Sequence, residues 1–352
     1  WSSDVCSSDL GCIGIAMQST NVTIGQCSWR KGYLQNPRVS NIEDNPRNIS
    51  SQDWRAAINN AGLTGTTCSV ALPPAILEHH VLQLPEMGMK ELTEAVGWEL
   101  ADRLGSDREL LQIDAKRLGN GGDVLGVSID QATLTSILEP LYAAGLRPTL
   151  IEPTCFALTR MLSMRHRRNA DRASVRAVLD FSKADSAMMV LAGDDTVFYK
   201  RLGYSGDSLI DAVSSHVGVT TDQAALMLAA SDQESDEAMS RAVRDATRAL
   251  HEQIARDAMK CLRHYGVTSR GPIPSELVVT GSAGWNRNLS EILETACNLS
   301  VFPDWNIEYL KEFSKTSSRC YGWQIALGTS LSFCESNDRR KQTETNNGGV
   351  AA

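Results

Sequence analysis

The sequence predicts an α/β protein made of two similar halves, each opening on hairpin strands. Three observations predict it. Short apolar runs alternate along the chain with longer stretches of helical spacing, the pattern of layered strands and helices. Strands joined by tight turns come first in each half, near residue 11 and again near residue 175. Three segments of small residues each follow or sit in an apolar run: Gly14-Ile15-Ala16-Met17-Gln18-Ser19-Thr20, Asp180-Phe181-Ser182-Lys183-Ala184-Asp185-Ser186 and Thr280-Gly281-Ser282-Ala283-Gly284. Small residues at strand ends let backbone N–H groups approach the oxygens of a ligand.

In the first half, residues 11–26 read as one or two short strands and 29–50 as polar, turn-rich chain. Asp53 is the expected N-cap of a helix running to residue 60 and ending near Gly62. Apolar residues 67–72 form a strand closed by Pro73-Pro74. Residues 79–84 form a second extended run, ended by Pro85. Leu92, Val96, Leu100 and Leu104 recur at helical spacing and predict a helix over 89–104. Strands follow at 111–113 and 124–129, with Gly119-Asn120-Gly121-Gly122 as the turn. A helix over 131–144 stops at Gly145, then come a strand at 149–152 and a helix at 155–164.

The second half opens with strands at 177–181, 186–191 and 196–202, the last two joined by Gly193-Asp194-Asp195. Helices follow at 208–217 and 222–230. The strongest helical pattern runs over 240–265. Val243, Ala246, Leu250, Ile254, Cys261 and Tyr265 lie near one face, and Arg244, Arg248, Glu252 and Arg256 lie elsewhere. A strand at 276–280 enters the third small-residue segment, and a helix at 288–296 follows. A final helix over 325–333 is expected to pack back on the sheet. Residues 1–10 show no periodicity and read as a non-native tail, and 335–352 as a polar, disordered one.

Composition narrows the function. A chain of 352 residues has room for about two domains. The formal net charge of −8 argues against general nucleic-acid binding. No run reaches the ~18 apolar residues of a membrane span. The nine cysteines are scattered without a Cys-x-x-Cys pair, which favours reduced, buried thiols over a disulfide framework or a zinc site.

In this order, the three small-residue segments resemble the two phosphate loops and the adenosine loop of the actin-like ATPases, with most of the glycines replaced. Further stretches resemble one family of that fold. Val70-Ala71-Leu72-Pro73 leads into Val81-Leu82-Gln83-Leu84-Pro85, and Trp98-Glu99 follows. Later come Leu141-Tyr142-Ala143-Ala144-Gly145-Leu146-Arg147-Pro148 and Ile151-Glu152-Pro153-Thr154-Cys155-Phe156-Ala157-Leu158. Val178-Leu179-Asp180-Phe181, Lys200-Arg201-Leu202-Gly203-Tyr204-Ser205-Gly206-Asp207-Ser208-Leu209 and Ile325-Ala326-Leu327-Gly328 complete the set. Over roughly residues 70–333 the chain resembles the PilM family, the competence-protein-A-like assembly proteins of type IV pili. More distantly it is similar to the MshI proteins of mannose-sensitive agglutinin pili.

The resemblance implies an actin-like ATPase fold of the FtsA variety, with a small subdomain inserted in the first half. The expected division is 11–80 with 148–174 as the first subdomain, 81–147 as the insertion, and 175–334 as the second domain. A helical subdomain over 217–270 lies within the last. The resemblance also implies a cytoplasmic protein, peripheral at the inner-membrane face. Its partners would be the cytoplasmic tail of a PilN-like bitopic inner-membrane protein and other pilus assembly proteins.

For a nucleotide, the resemblance implies contacts from Gly14, Ser19 and Thr20 in the first loop. Asp180, Ser182, Lys183 and Gly206 would serve the second, and Gly281, Ser282 and Gly284 the third, with Asp180 also facing Mg²⁺. The family's first loop reads Gly-Ile-Asp-Ile-Gly-Ser. Here Ala16 stands where a carboxylate would organise hydrated Mg²⁺, and Gln18 stands where a glycine would admit the phosphate. The expectation is a degenerate site with no catalytic residue, where ATP and Mg²⁺ bind weakly or not at all, on a scaffold protein. The alternatives are an active ATPase or sugar kinase on the same fold, or a MshI- or GspL-like component of a related pilus or type II secretion system.

For the partner, the resemblance implies a peptide groove between the first half and the insertion, with walls from the 81–84 strand, the 92–104 helix and the 124–129 strand. Val81, Leu84, Trp98 and Val127 would line it. Trp98 is either its anchor or a core residue of the insertion. His79-His80 cannot easily share one metal ion, because neighbours on a strand point to opposite faces, and they read as a surface pair. Arg165-His166-Arg167-Arg168 reads as a solvated helix end, and 232–237 as an acidic turn without calcium-ligand spacing.

Overall fold

The computed structural model describes residues 11–18, 21–30, 33–119, 122–163, 174–231, 237–268, 271–281, 286–303 and 322–332. Its frame is a five-stranded sheet used twice. In the first sheet, β1 (Ile13–Met17), β2 (Val22–Arg30) and β3 (Tyr33–Ile42) form an antiparallel meander. On the other side of β1 lie β4 (Thr67–Leu72) and then β8 (Arg147–Pro153), both parallel to it. The second sheet repeats this strand for strand. β9 (Val175–Phe181), β10 (Ser186–Ala192) and β11 (Asp195–Leu202) form the meander. β12 (Glu276–Gly281) and β13 (Ser300–Pro303) add in parallel beside β9. The orders β3-β2-β1-β4-β8 and β11-β10-β9-β12-β13 are the same topology. The central strands β1 and β9 are buried along their whole length, which is why they read as continuous apolar runs.

A third sheet interrupts the first repeat between β4 and β8. β5 (Glu78–Gln83), β7 (Asp123–Asp130) and β6 (Leu111–Leu118) pair antiparallel in the order β5-β7-β6. Helix α2 (Met89–Leu104) covers one face, with Leu92, Val96 and Leu100 buried against Leu82, Ile113 and Val124. Gly105, in the left-handed region at φ 61°, ends it.

Two edge strands fall in chain that the sequence left unassigned. β3 lies within 29–50. It is polar, carries Asn36 at φ 47° and Pro37, and shifts register against β2 between Gln26 and Ser28. Only an edge strand tolerates such residues. β13 is four residues long and also an edge. Helix α1 (Ser51–Asn60) corrects the expected cap. Ser50 is the N-cap, and Asp53 is its partner three residues on: Asp53 N–H donates to Ser50 Oγ, and Ser50 N–H to Asp53 Oδ2.

α3 (Gln131–Ala143) packs beside α1 and β8, and α4 (Thr154–Ser163) follows β8. Against the second sheet lie α5 (Gly206–Val217), α7 (Glu237–Thr268) and α8 (Arg287–Cys297), with α6 (Thr221–Ser231) packed on α5 and α7. Ile254, Ala258, Cys261 and Tyr265 carry the inner face of α7. The last described helix, α9 (Trp323–Ser330), does pack back on a sheet, but on that of the first half, against β1, β2, β4 and α4. It is pinned there by a buried ion pair. Arg160 of α4 donates twice to Glu152 of β8, at 2.8 and 2.9 Å, and once to the Gly328 carbonyl at 2.9 Å. Thr329 Oγ1 donates to the same Glu152 at 2.6 Å.

The two halves share one core. Val178, Met189, Leu191, Tyr199 and Val278 of the second sheet join the cluster built on β1, β2 and β4. Among the described residues no helix is long and apolar enough to cross a membrane.

Candidate nucleotide and partner sites

The parallel pairing of β12 with β9 sets Thr280 beside Asp180 and Gly281 beside Phe181. The second and third small-residue segments therefore meet at the ends of adjacent central strands, where open α/β sheets commonly bind ligands. Thr280 Oγ1 donates to Asp180 Oδ1 at 2.8 Å. Burial and the nearby Asp185 carboxyl push Asp180 up to about 6, against the pull of the Thr280 bond. Gly281 sits at φ 74°, and a side chain there would run into the Phe181 carbonyl. Glycine is what lets the third loop close onto the second.

The turn after β9 is held internally. Ser182 N–H donates to the Asp185 carbonyl at 2.9 Å and Ser182 Oγ to Asp185 Oδ1 at 2.7 Å. Burial raises the Asp185 carboxyl, with Ser182, Arg201 and the Ala75 N–H opposing. The start of α5 then docks onto this turn. Gly206 N–H donates to the Ser182 carbonyl and Asp207 N–H to the Lys183 carbonyl, each at 2.9 Å. Ser208 N–H goes to the N-cap Ser205 Oγ. The first N–H groups of a helix are a natural anion site, and here they are bonded to the loop's own oxygens. Lys183 stays exposed.

The first loop is placed differently. Gly14 lies inside β1 under α9, and a side chain on it would overlap the Ala326 carbonyl. Its smallness serves helix packing. Ala16 is fully buried, and the Gln18 side chain lies against Gly322 at the start of α9. Ser19, Thr20, Ser282 and Gly284 lie outside the described residues, as do Arg165-His166-Arg167-Arg168 and 232–236. Asp180, Ser182, Lys183, Gly206 and Gly281 thus cluster about one loop pair, and Gly14 does not join them through any contact of its own. Asp185 and Thr280 belong to the cluster but were not singled out in the sequence. Register between strands a hundred residues apart brings in Thr280, which the sequence does not display, while Asp185 enters through the local turn with Ser182. Among the described residues no group of three or more His, Cys, Asp or Glu is placed to hold a metal. The carboxyls bond within the protein, and the helix donors are used.

The residues expected to line the peptide groove fall on different faces of the insertion. The space between α2 and its own sheet is filled by fully buried Leu92, Val96 and Leu100. Val81 and Val127 lie on the sheet face away from α2, while Leu84 turns toward α2 with Leu82. The four candidate residues do not share a face. Trp98 is not a core residue: it is 70% exposed on the outside of α2. Nor is His79 a surface group. It is buried and stacks on Tyr199 of β11 with ring centroids 5.4 Å apart. Burial lowers its pKa to about 4.

No family model and no curated protein sequence matches the chain. Solved structures do. The chain is similar to one in a PilM-PilN type IV pilus biogenesis complex, with a TM-score of 0.72 at 18% identity, covering 92% of this chain and 98% of that one. It is also similar to the ethanolamine utilization protein EutJ from Carboxydothermus hydrogenoformans, with a TM-score of 0.53 at 11% identity, covering 92% and 89%. The twice-used sheet is that of the actin-like ATPase fold.

Proposed function

We propose that this chain is a scaffold of type IV pilus assembly at the cytoplasmic face of the inner membrane, and that it binds the cytoplasmic tail of a PilN-like bitopic protein. The observation that carries this reading is the likeness to the PilM-PilN chain over nearly the full length of both. The exposed Trp98 supports it: a large aromatic held in water on a rigid helix is a ready anchor for a partner. The insertion is best drawn as residues 78–130, because α3 packs with α1 and β8 of the first half. Residues 323–332 belong with the first half on the same ground.

ATP is bound weakly on this reading, with little help from Mg²⁺ and no turnover. The buried Ala16, the Gln18 side chain and the already bonded start of α5 support it. Titration with ATP and Mg²⁺ tests it, and micromolar affinity with turnover would overturn it. The partner is tested by calorimetry with the amino-terminal peptide of a co-purifying bitopic protein. Trp98→Ala should weaken binding by about 2 kcal/mol or more, about thirtyfold, without lowering the melting temperature. Wild-type affinity in a folded Trp98→Ala variant removes the anchor. Failure of any bitopic membrane protein to co-purify removes the scaffold.

A further inference from the structure

A cleft of about 400 Å³ opens on the other side of the small sheet, between that sheet and the second half. β5 supplies Val81 and Gln83 and β6 supplies Leu118. Facing them are Phe198 and Lys200 of β11, with Lys260 and His264 of α7 at one wall. Two strand edges border this space. β5 is the outer strand of the small sheet, and β11 is the outer strand of the second sheet. The outer side of each carries main-chain groups paired with no described strand. Such edges bond an incoming extended chain.

Charge selects among the chains that could enter. The protein is acidic overall, at −8, yet this lining gathers Lys200, Lys260 and His264 with one carboxylate, Asp123, and a second carboxylate, Asp257, stands beside Lys260, so Lys200 carries the charge preference. Lys260 is bonded to Asp257 at 2.8 Å. Lys200 is exposed and has no ion pair among the described residues. A small anion would leave the apolar lining and both strand edges unused. A basic peptide would meet Lys200 and Lys260.

We propose that this cleft docks an extended peptide segment in which apolar and acidic residues alternate, its main chain pairing with the β11 edge and its carboxylates facing Lys200 and Lys260. The site is separate from the Trp98 face, since Val81 and Gln83 point away from α2.

The test is fluorescence anisotropy with a short labelled peptide alternating valine and glutamate. A valine-lysine peptide and a valine-glutamate peptide methylated on alternate amide nitrogens serve as comparators. The valine-glutamate peptide should bind, and both comparators should fail. Lys200→Glu, at an exposed position that keeps the fold by circular dichroism, should weaken binding by about tenfold or more, while Trp98→Ala leaves it unchanged. Absence of binding by the valine-glutamate peptide overturns the proposal. So does equal binding of the lysine peptide, full binding of the methylated one, or retention by Lys200→Glu to within about twofold.

Discussion

Replacing Glu152 with alanine isolates the contact that fastens α9 to the first half. The Glu152 and Arg160 side chains are 6% and 11% exposed, so both charges sit largely out of water. Removing the carboxylate takes the Glu152 counter-ion from a largely buried guanidinium. That costs roughly 3–5 kcal/mol, far more than the intact pair contributes relative to apolar residues. The hydroxyl of Thr329 also loses its acceptor, a further penalty of about 1 kcal/mol that overlaps the first. Against a total stability of roughly 5–15 kcal/mol, the loss is large. Urea unfolding followed by far-ultraviolet circular dichroism should show a lower midpoint at an unchanged slope. The double variant Glu152→Leu with Arg160→Met removes both charges and keeps apolar volume, and should recover most of the loss. A cost below about 1 kcal/mol in Glu152→Ala, or a double variant as unstable as the single one, would refute the reasoning that an orphaned charge is what destabilises.

Burial lowers His79 and His251 to about 4, so the folded chain holds both neutral, and their stability contribution is lost as pH falls from about 6.5 toward 4. Asp180, raised to about 6, and Asp185, also raised by burial, work the other way and favour the folded state as pH falls. Asp180→Asn with Asp185→Asn removes both opposing gains, and in that variant two losses of up to ~3 kcal/mol each should drop the urea midpoint between about pH 7 and pH 4.5; a flat or rising profile contradicts the burial of the two imidazoles. Gly14→Ala should lower the melting temperature by at least about 4 °C, because its methyl group meets the Ala326 carbonyl. An unchanged melting temperature with a loss of ATP binding would return Gly14 to the nucleotide.

What was legible in the sequence followed from periodicity and from the chain's own neighbours. Leu92, Val96 and Leu100 gave α2 its observed limits, and the same stripe bears on Trp98. Two residues beyond Val96, Trp98 lies about 200° around the helix from it and so faces outward. That signal was present and argues against the core reading. β3 was hidden because an edge strand need not be apolar, and a left-handed Asn36 beside a proline looks like a turn. His79 was hidden for another reason. Alternation along β5 separates it from His80, but its partner Tyr199 comes from a strand 120 residues further on, and no local pattern announces that contact. The glycines were visible while their reasons were not. Gly281 serves loop contact and Gly14 serves a helix from the far end of the chain.

Three of the contacts that join the small sheet and α4 to β11 have unequal energies. Lys116 pairs with Asp195 at 2.7 Å, but both side chains are 43–50% exposed, so water screens the pair and it contributes at most about 1 kcal/mol. Thr159 bonds Thr196 at 2.8 Å, where both hydroxyls are buried. His79 stacks on Tyr199 inside the shared core. Separating these would strand the buried Thr196 hydroxyl, since that of Thr159 keeps its bond to the Cys155 carbonyl, and would expose two rings, so the buried contacts and not the ion pair hold the halves together. The ends of β9 and β10 that carry Asp180 and Ser186 belong to the same rigid meander as β11. A large opening of the halves therefore works against the core itself. That suits a protein whose proposed task is to hold a partner surface on α2 and a cleft along β11 at fixed separation. It suits poorly one that must open and close around a nucleotide at each turnover.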